Sequence, residues 1–192
     1  MHLYTKESLA DLLTDESFTY STYTDLKKQL QSDLVLRPLQ VDDYSKGYFK
    51  LISEESDVVI GEDSEAKFKE YFSVLQSCPG MYYPVVVEEV SKTTVVGAGT
   101  LIIEQKFIHE TALRGRIENL VVFQSYRRRG VGSLMLETLT KLARQLGCYK
   151  TTLNCSREIM AFCGNCDYAA EDHQNFMLKT FTDDTTNNNQ ES

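Results

Sequence analysis

Two glycines and three arginines form the segment of this sequence best suited to bind an anion. The segment has the pattern Arg127-x-x-Gly130-x-Gly132 and lies between a predicted strand and a predicted helix. Unpaired backbone N–H groups and the positive end of the helix dipole meet at such a junction. Glycine has no Cβ, so a phosphate or pyrophosphate can approach the backbone closely. The pattern predicts an anion site, and a glycine-containing turn without a ligand is the alternative with the same spacing.

Charge is distributed unevenly around this loop. The formal net charge of the 192-residue chain is −8, yet residues 105–150 carry nine Lys and Arg against three Glu, a net charge of +6. A basic region within an acidic protein favours a compact anion over a long polyanion such as nucleic acid. We therefore expect a small phosphorylated ligand and no nucleic-acid partner.

The five cysteines are an odd number, and the N-terminal residues lack a secretion pattern. Both features favour reduced thiols and a cytoplasmic protein over a disulfide framework. The pair Cys163-x-x-Cys166 has a spacing that also occurs in redox and zinc sites. With only His173 nearby in the sequence, the pattern favours two ordinary thiols, and we predict no metal.

Hydrophobic periodicity predicts the elements that position these residues. The main elements are expected as strands at 34–39, 82–89, 93–105, 114–123, 150–156 and 174–181, and as helices beginning at 41, after 64, at 131 and at 157. This order predicts an α+β fold with one mixed, mostly antiparallel sheet flanked by helices. Apolar runs are too short for a membrane span.

Three regions are expected along the chain. Residues 34–181 form the main domain. Residues 1–33 are predicted to form a helical extension, and residues 182–192 are too polar to bury surface and are predicted to be a disordered tail.

Four segments together resemble the glucosamine 6-phosphate N-acetyltransferases. They are residues 100–109, 114–122 and 127–132 and the tripeptide Cys148-Tyr149-Lys150. This family belongs to the GCN5-related N-acetyltransferase (GNAT) superfamily, whose acetyl-CoA loop has the form Arg/Gln-x-x-Gly-x-Gly/Ala. The resemblance covers about residues 34–181. It implies a GNAT fold, a homodimer, acetyl-CoA as donor and the amine of glucosamine 6-phosphate as acceptor, in the synthesis of UDP-N-acetylglucosamine.

The same resemblance implies roles for individual residues. Acetyl-CoA would contact a strand segment and the glycine loop, namely Leu120, Val121, Val122, Arg127, Arg128, Arg129, Gly130, Val131, Gly132 and Ser133. The sugar phosphate would contact Ser56, Lys106, Phe107, Ile108, His109, Glu118, Asn119, Tyr149, Lys150, Asn154, Lys179 and Thr180. The catalytic positions would be those of Glu118, Asn154 and Cys163.

One end of this implied site departs from the family pattern. Asn119 and Asn154 replace acidic residues, and an amide cannot take up a proton as a carboxylate does. Cys163 occupies the position of a family Tyr that serves the leaving CoA sulfur. A positioned acid or base contributes about 10²–10⁴ in rate, so these changes predict a slower enzyme.

Further changes lie close to that end. Ile159 replaces a family Asn, Asp167 replaces the Gly of a Phe-Gly-Tyr turn, and Thr180 replaces a phosphate-binding Arg beside Lys179. Two readings therefore stay open. The chain is a weakened acetyltransferase acting on glucosamine 6-phosphate or another small amine, or it is an inactive paralogue that still binds acetyl-CoA.

Overall fold

The computed structural model of the chain describes residues 33–55, 61, 63–171 and 177–179. Nearly all of the predicted extension 1–33, the tail 182–192, Ser56 and Thr180 lie outside the described residues. Among the described residues, no helix is both long enough and apolar enough to cross a membrane.

Five strands form one sheet in the order in which they follow along the chain. They are β1 (Leu34–Pro38), β2 (Tyr82–Glu89), β3 (Thr94–Gln105), β4 (Leu113–Val122) and β5 (Cys148–Leu153). The first four pair antiparallel, whereas β4 and β5 pair parallel. The prediction of a mixed, mostly antiparallel sheet is confirmed by these pairings.

The described helices are α1 (Tyr48–Glu55), α2 (Ser64–Ser77), α3 (Ile108–Thr111), α4 (Val131–Gln145) and α5 (Met160–Gly164). Short 3₁₀ turns occupy Val41–Tyr44, Val90–Lys92, Gln124–Tyr126 and Arg157–Ile159. The start, the length and the buried stripe of α4 follow the predicted 3.6-residue period. The four-residue α3 was not predicted.

Each face of the sheet has its own apolar core. Val85 and Val87 of β2 point to the α4 side, whereas Val86 between them points to the side of α1 and α2. Met135 and Leu139 of α4 are fully buried on the first face. This alternation follows from the two-residue period of a strand. Two helical layers therefore fix the sheet from both sides.

The predicted helix beginning at 41 is wrong in detail. Residues Val41–Tyr44 form a 3₁₀ turn, and Gly47, with φ of +88°, separates this turn from α1. Asp43 of this turn is fully buried and accepts two hydrogen bonds from the Arg37 guanidinium, at 2.6 and 2.8 Å. A buried guanidinium requires an anionic partner, so the ion pair with Arg37 favours the turn that places Asp43 in the interior.

Two predicted strands also require correction. The strand expected at 150–156 is Cys148–Leu153, so Asn154 and Cys155 follow β5 as exposed residues instead of lying on it. Pairing with β4 ends at Leu153, and β5 ends at the same residue. Of the strand expected at 174–181, residues 177–179 are described and have no regular structure.

Candidate active site

A gap opens between β4 and β5 at the carboxyl end of β5. Residues 113–117 of β4 pair with β5, whereas β4 itself continues to Val122. The divergence coincides with a β-bulge in β4, where Asn119 and Leu120 together face Gly99 of β3. Asn119 has φ of +55°, a conformation that Asn tolerates better than most residues. The bulge bends β4 away from β5 and leaves one edge of its last residues open.

The open edge presents backbone groups of the segment that was expected to receive the thioester. Phe123 donates its N–H to the carbonyl of Val96 on β3, at 3.0 Å. Because successive backbone groups alternate in direction, those of Leu120 and Val122 face the gap. Leu120, Val121 and Val122 are all half-buried.

The glycine loop lies directly after this edge. Gly130 is the residue before α4 and has φ of +80°, which favours glycine. The first-turn N–H groups of α4, on Val131, Gly132 and Ser133, have no carbonyl within the helix to bind. Arg127, Arg128 and Arg129 precede them and are exposed. The structure therefore joins cationic side chains and helix N–H groups at one point.

Gly132 keeps its backbone open without being required by the fold. A Cβ at this position would meet the Phe162 ring at 3.4 and 3.6 Å, which is ordinary van der Waals contact. Its φ lies outside the left-handed region, unlike that of Gly130. Since neither packing nor backbone conformation demands glycine at 132, the missing Cβ is best explained by the approach of a ligand.

The α5 helix lies against the glycine loop. Phe162 packs over Gly132, and the neighbouring Cys163 is buried. Burial, together with a hydrogen bond to the Cys155 thiol, raises the pKa of Cys163 to about 11. The Cys163 thiol is therefore neutral at physiological pH. No group of three or more His, Cys, Asp or Glu residues that could hold a metal occurs in the part of the chain that the structure describes.

Charged side chains cover the sheet face beside the gap. Glu118 of β4 forms an ion pair with Arg116 at 3.1 Å. Glu104 of β3 accepts from Lys106 and from Arg114, both at 2.6 Å. The Nε of Arg116 is buried and makes no hydrogen bond of good geometry. This face holds both acidic groups and cationic groups suited to a phosphorylated amine.

Only some of the predicted substrate residues are brought together. Lys106 and Glu118 lie on the charged face just described, and Lys150 of β5 pairs in register with Arg114 of β4. Lys150 is also 3.7 Å from Glu171. Asn119, at the bulge, borders an apolar cavity of about 310 Å³ beneath α1 and α2.

The other predicted substrate residues are spread over the surface. Phe107 and Ile108 are 96% and 64% exposed. Phe107 precedes the short helix α3, and Ile108 and His109 are its first two residues. Tyr149 and Asn154 are exposed at the two ends of β5. Lys179 is exposed in a segment without regular structure, and Ser56 and Thr180 lie outside the described residues.

Sequence reasoning missed four residues of this region: Glu104, Arg116, Tyr126 and Phe162. Glu104 and Arg116 had a signal, since they alternate along strands with other charged residues. Tyr126 and Phe162 had none, because their contacts with Glu89 and Gly132 join residues that are distant in the sequence.

Comparison with known proteins agrees with this geometry. The model of the acetyltransferase (GNAT) family matches residues 41–161. A glucosamine 6-phosphate N-acetyltransferase of Candida albicans is 34% identical over 139 residues, which cover 72% of this chain and 91% of the relative. A probable enzyme of the same name from Drosophila melanogaster is 38% identical over 135 residues, covering 70% of this chain and 60% of the relative.

Solved structures give the same result. The crystal structure of glucosamine-6-phosphate N-acetyltransferase from Arabidopsis thaliana is 28% identical, with a TM-score of 0.72. The match covers 78% of this chain and 99% of that one. The predicted GNAT fold is confirmed, and the chain belongs to the acetyltransferase (GNAT) family, within its glucosamine 6-phosphate N-acetyltransferase group.

Proposed function

We propose that this protein transfers the acetyl group of acetyl-CoA to the amino group of glucosamine 6-phosphate, giving N-acetylglucosamine 6-phosphate. The observation that carries the proposal is the open edge of β4, which leads directly into the amide-lined start of α4. Relatives that are named glucosamine 6-phosphate N-acetyltransferases support the choice of acceptor. The product would feed the synthesis of UDP-N-acetylglucosamine in the cytoplasm.

The residues present fit acetyl-CoA as the acetyl donor. A fold neighbour from Clostridium acetobutylicum, 16% identical with a TM-score of 0.57, was solved with acetyl-CoA. In this chain the backbone groups of Leu120 and Val122 that face the gap would pair with the pantetheine amides. The segment from Arg127 to Ser133 would bind the diphosphate through N–H groups and guanidinium groups. Bound acetyl-CoA supplies an activated thioester.

The acceptor amine must be neutral to attack this thioester. Glu118 is the carboxylate closest in sequence to the open edge, and Arg116 holds it at 3.1 Å. We assign Glu118 to orient the amine and to accept its proton, directly or through water. The substrate phosphate would bind the cations Lys106 and Lys150.

Formation of the amide N–C bond breaks the C–S bond of the thioester, and the departing sulfur needs a proton. Cys163 supplies the neutral S–H donor that a Tyr hydroxyl supplies in the family pattern. Its pKa of about 11 keeps the proton in place before reaction. Asn154 can donate a hydrogen bond but cannot take up a proton. Turnover slower than that of relatives with Tyr and Asp is therefore expected.

A homodimer is part of the proposal. Phe107 and Ile108 are large apolar side chains that are 96% and 64% exposed next to the charged face. Such a pair at the edge of a site suits contact with a second copy of the chain. Light scattering coupled to size-exclusion chromatography tests for the dimer. One chain has a mass of 21.9 kDa, and we expect a measured mass of twice this value.

The experiment measures release of free thiol from acetyl-CoA in the presence of glucosamine 6-phosphate. We expect slow but measurable release by the wild type, and faster release by a Cys163→Tyr/Asn154→Asp double variant. Melting temperatures of both proteins control for overpacking, because Cys163 is buried and Tyr is much larger.

A binding module without activity is the second candidate. The observation that favours it is Asn154, which is exposed after β5. Its amide leaves this catalytic position without an acid or base. Wild-type protein that binds CoA tightly and releases no thiol above background would select this candidate.

A further inference from the structure

A buried carboxylate anchors the tyrosine that precedes the arginine loop. Glu89, the last residue of β2, is only 7% exposed. It accepts the Tyr126 hydroxyl at 2.5 Å and the Lys92 ammonium at 2.9 Å. Two donors of this kind compensate for the burial of a carboxylate. The hydrogen bonds from Tyr126 and Lys92 also lower the pKa of Glu89, so it stays ionised at neutral pH.

The anchored tyrosine ring carries two cations. The guanidinium carbon of Arg129 lies 5.3 Å from the centre of the Tyr126 ring, and Lys92 Nζ lies 5.8 Å from it. Both distances are within the range of cation–π attraction. The Tyr126 backbone is fixed as well, since its N–H donates to the carbonyl of Phe123 at 2.8 Å. Arg129 therefore rests on a ring held at its hydroxyl and at its backbone.

An exposed arginine loses side-chain freedom when it binds an anion. A ring that already holds the guanidinium reduces this loss, so the bound state costs less conformational entropy. Arg127 is held by a separate contact, from its Nε to the carbonyl of Val122 at 3.0 Å. Contacts with different elements thus restrain the first and the last of the three arginines before any ligand arrives.

We propose that Tyr126 is a positioning residue of the anion loop: bound to Glu89 through its hydroxyl, it holds Arg129 beside the turn at 130–132. The inference rests on the proposed function, because it takes the CoA diphosphate as the anion. Tyr126 touches neither diphosphate nor thioester in this scheme and acts only through Arg129.

The test is a double-mutant cycle measured by calorimetry, with CoA as the probe. Tyr126→Leu removes the ring and should weaken CoA binding about five-fold, which corresponds to about 1 kcal/mol of cation–π attraction. Tyr126→Phe keeps the ring but loses the bond to Glu89, so its affinity should fall between those of wild type and Tyr126→Leu. In an Arg129→Gln background, Tyr126→Leu should cause no further loss.

A second probe separates positioning from general structural damage. Acetyl-pantetheine lacks the nucleotide and diphosphate, so kcat/KM with this donor should be equal in wild type and Tyr126→Leu. Tyr71→Leu is the matched control, because Tyr71 is 59% exposed on α2, and its CoA affinity should equal that of wild type.

Three results would overturn the inference. The first is unchanged CoA affinity in Tyr126→Leu, and the second is a loss of CoA affinity on Tyr126→Leu that is as large in the Arg129→Gln background as in the wild type. The third is a fall in kcat/KM of Tyr126→Leu with acetyl-pantetheine that equals its loss of CoA affinity. In each case wild-type protein still binds CoA, so the proposed function stands. Wild-type protein that binds no CoA would overturn both.

Discussion

The Nε of Arg127 donates a hydrogen bond to the carbonyl oxygen of Val122 at 3.0 Å. This contact links the first arginine of the loop to the last residue of β4. It holds the glycine turn against the strand edge from which β5 has separated. In the proposed function the donor diphosphate binds at the turn and the thioester at the edge, and the contact joins these two regions directly. Positioned groups of this kind lower the barrier by holding reactants in register.

Gly132→Glu should abolish CoA binding while the protein stays folded. The new carboxylate would occupy the turn that presents N–H groups and would repel the diphosphate. Its Cβ would make ordinary contact with Phe162 at 3.4 Å, so little strain is expected. Calorimetry with CoA measures the effect. Gly61→Glu adds the same charge at a position where, among the described residues other than its chain neighbours, no atom lies within 4 Å of the new Cβ, and it should bind like wild type. Unchanged affinity in Gly132→Glu would show that the loop assignment is wrong.

Cysteine reactivity should separate Cys155 from Cys163. Thiolates attack iodoacetamide and displace iodide, and burial with a hydrogen bond to Cys155 raises the pKa of Cys163 to about 11. The thiolate fraction of Cys163 is therefore about one in a thousand at pH 8, and its labelling should accelerate only as the pH approaches 11. Cys155 is exposed and should react first. Peptide mass analysis gives the order, with unfolded protein as the control. Faster labelling of Cys163 at pH 8 would contradict its buried, neutral state.

Asp43→Ala should destabilise the fold strongly. Asp43 is fully buried and binds the Arg37 guanidinium at 2.6 Å, so its removal leaves a buried charge with fewer partners. Breaking such a pair costs about 3–5 kcal/mol. Glu65→Ala breaks an exposed pair with Lys69 at 2.7 Å and should cost less than about 0.5 kcal/mol. Urea unfolding measures both. Similar costs for the two variants would refute the structural role assigned to the buried pair.

Asp167→Gly should stabilise the protein. Asp167 has φ of +64° and follows α5, where Tyr168 donates to the carbonyl of Cys163 and Asp167 donates to that of Gly164. This helix ending favours glycine at the position of Asp167. Glycine pays no cost for the left-handed conformation, so the free energy of unfolding should rise by about 1 kcal/mol. The greater freedom of glycine in the unfolded chain reduces this gain. A rise in melting temperature is expected, and Asp167→Val should lower it.

A control for this pair lies two residues earlier. Asn165 has φ of −68°, so Asn165→Gly relieves no strain and should lower the melting temperature. Stabilisation by Asn165→Gly but not by Asp167→Gly would contradict the conformational explanation.

Periodicity was sufficient to predict the central elements. Alternating apolar residues predicted β2, β3 and β4, and the stripe from Val131 to Leu142 predicted α4, because burial on one face imposes these periods. The ends of β5 were wrong, since they depend on where β4 separates from it. Helix α3 was not predicted because its four residues are too few to show a hydrophobic period.

The candidate site was predictable where it is local in sequence. The spacing of Gly130 and Gly132 predicted a glycine-containing junction before α4, which the structure has; anion binding at this junction stays a prediction. The link between Glu89 and Tyr126 was not predictable, because their contact crosses 37 residues and depends on how the sheet and the loop pack. The burial of Cys163 likewise follows from the position of α5 over the loop, which no local pattern specifies.

The most direct test of the account is thiol release from acetyl-CoA by purified wild-type protein, with and without glucosamine 6-phosphate. The account predicts release that depends on the amino sugar, that saturates with both substrates, and that disappears in Gly132→Glu. Release that is equal with and without the amino sugar, or absent although CoA binds, would contradict it.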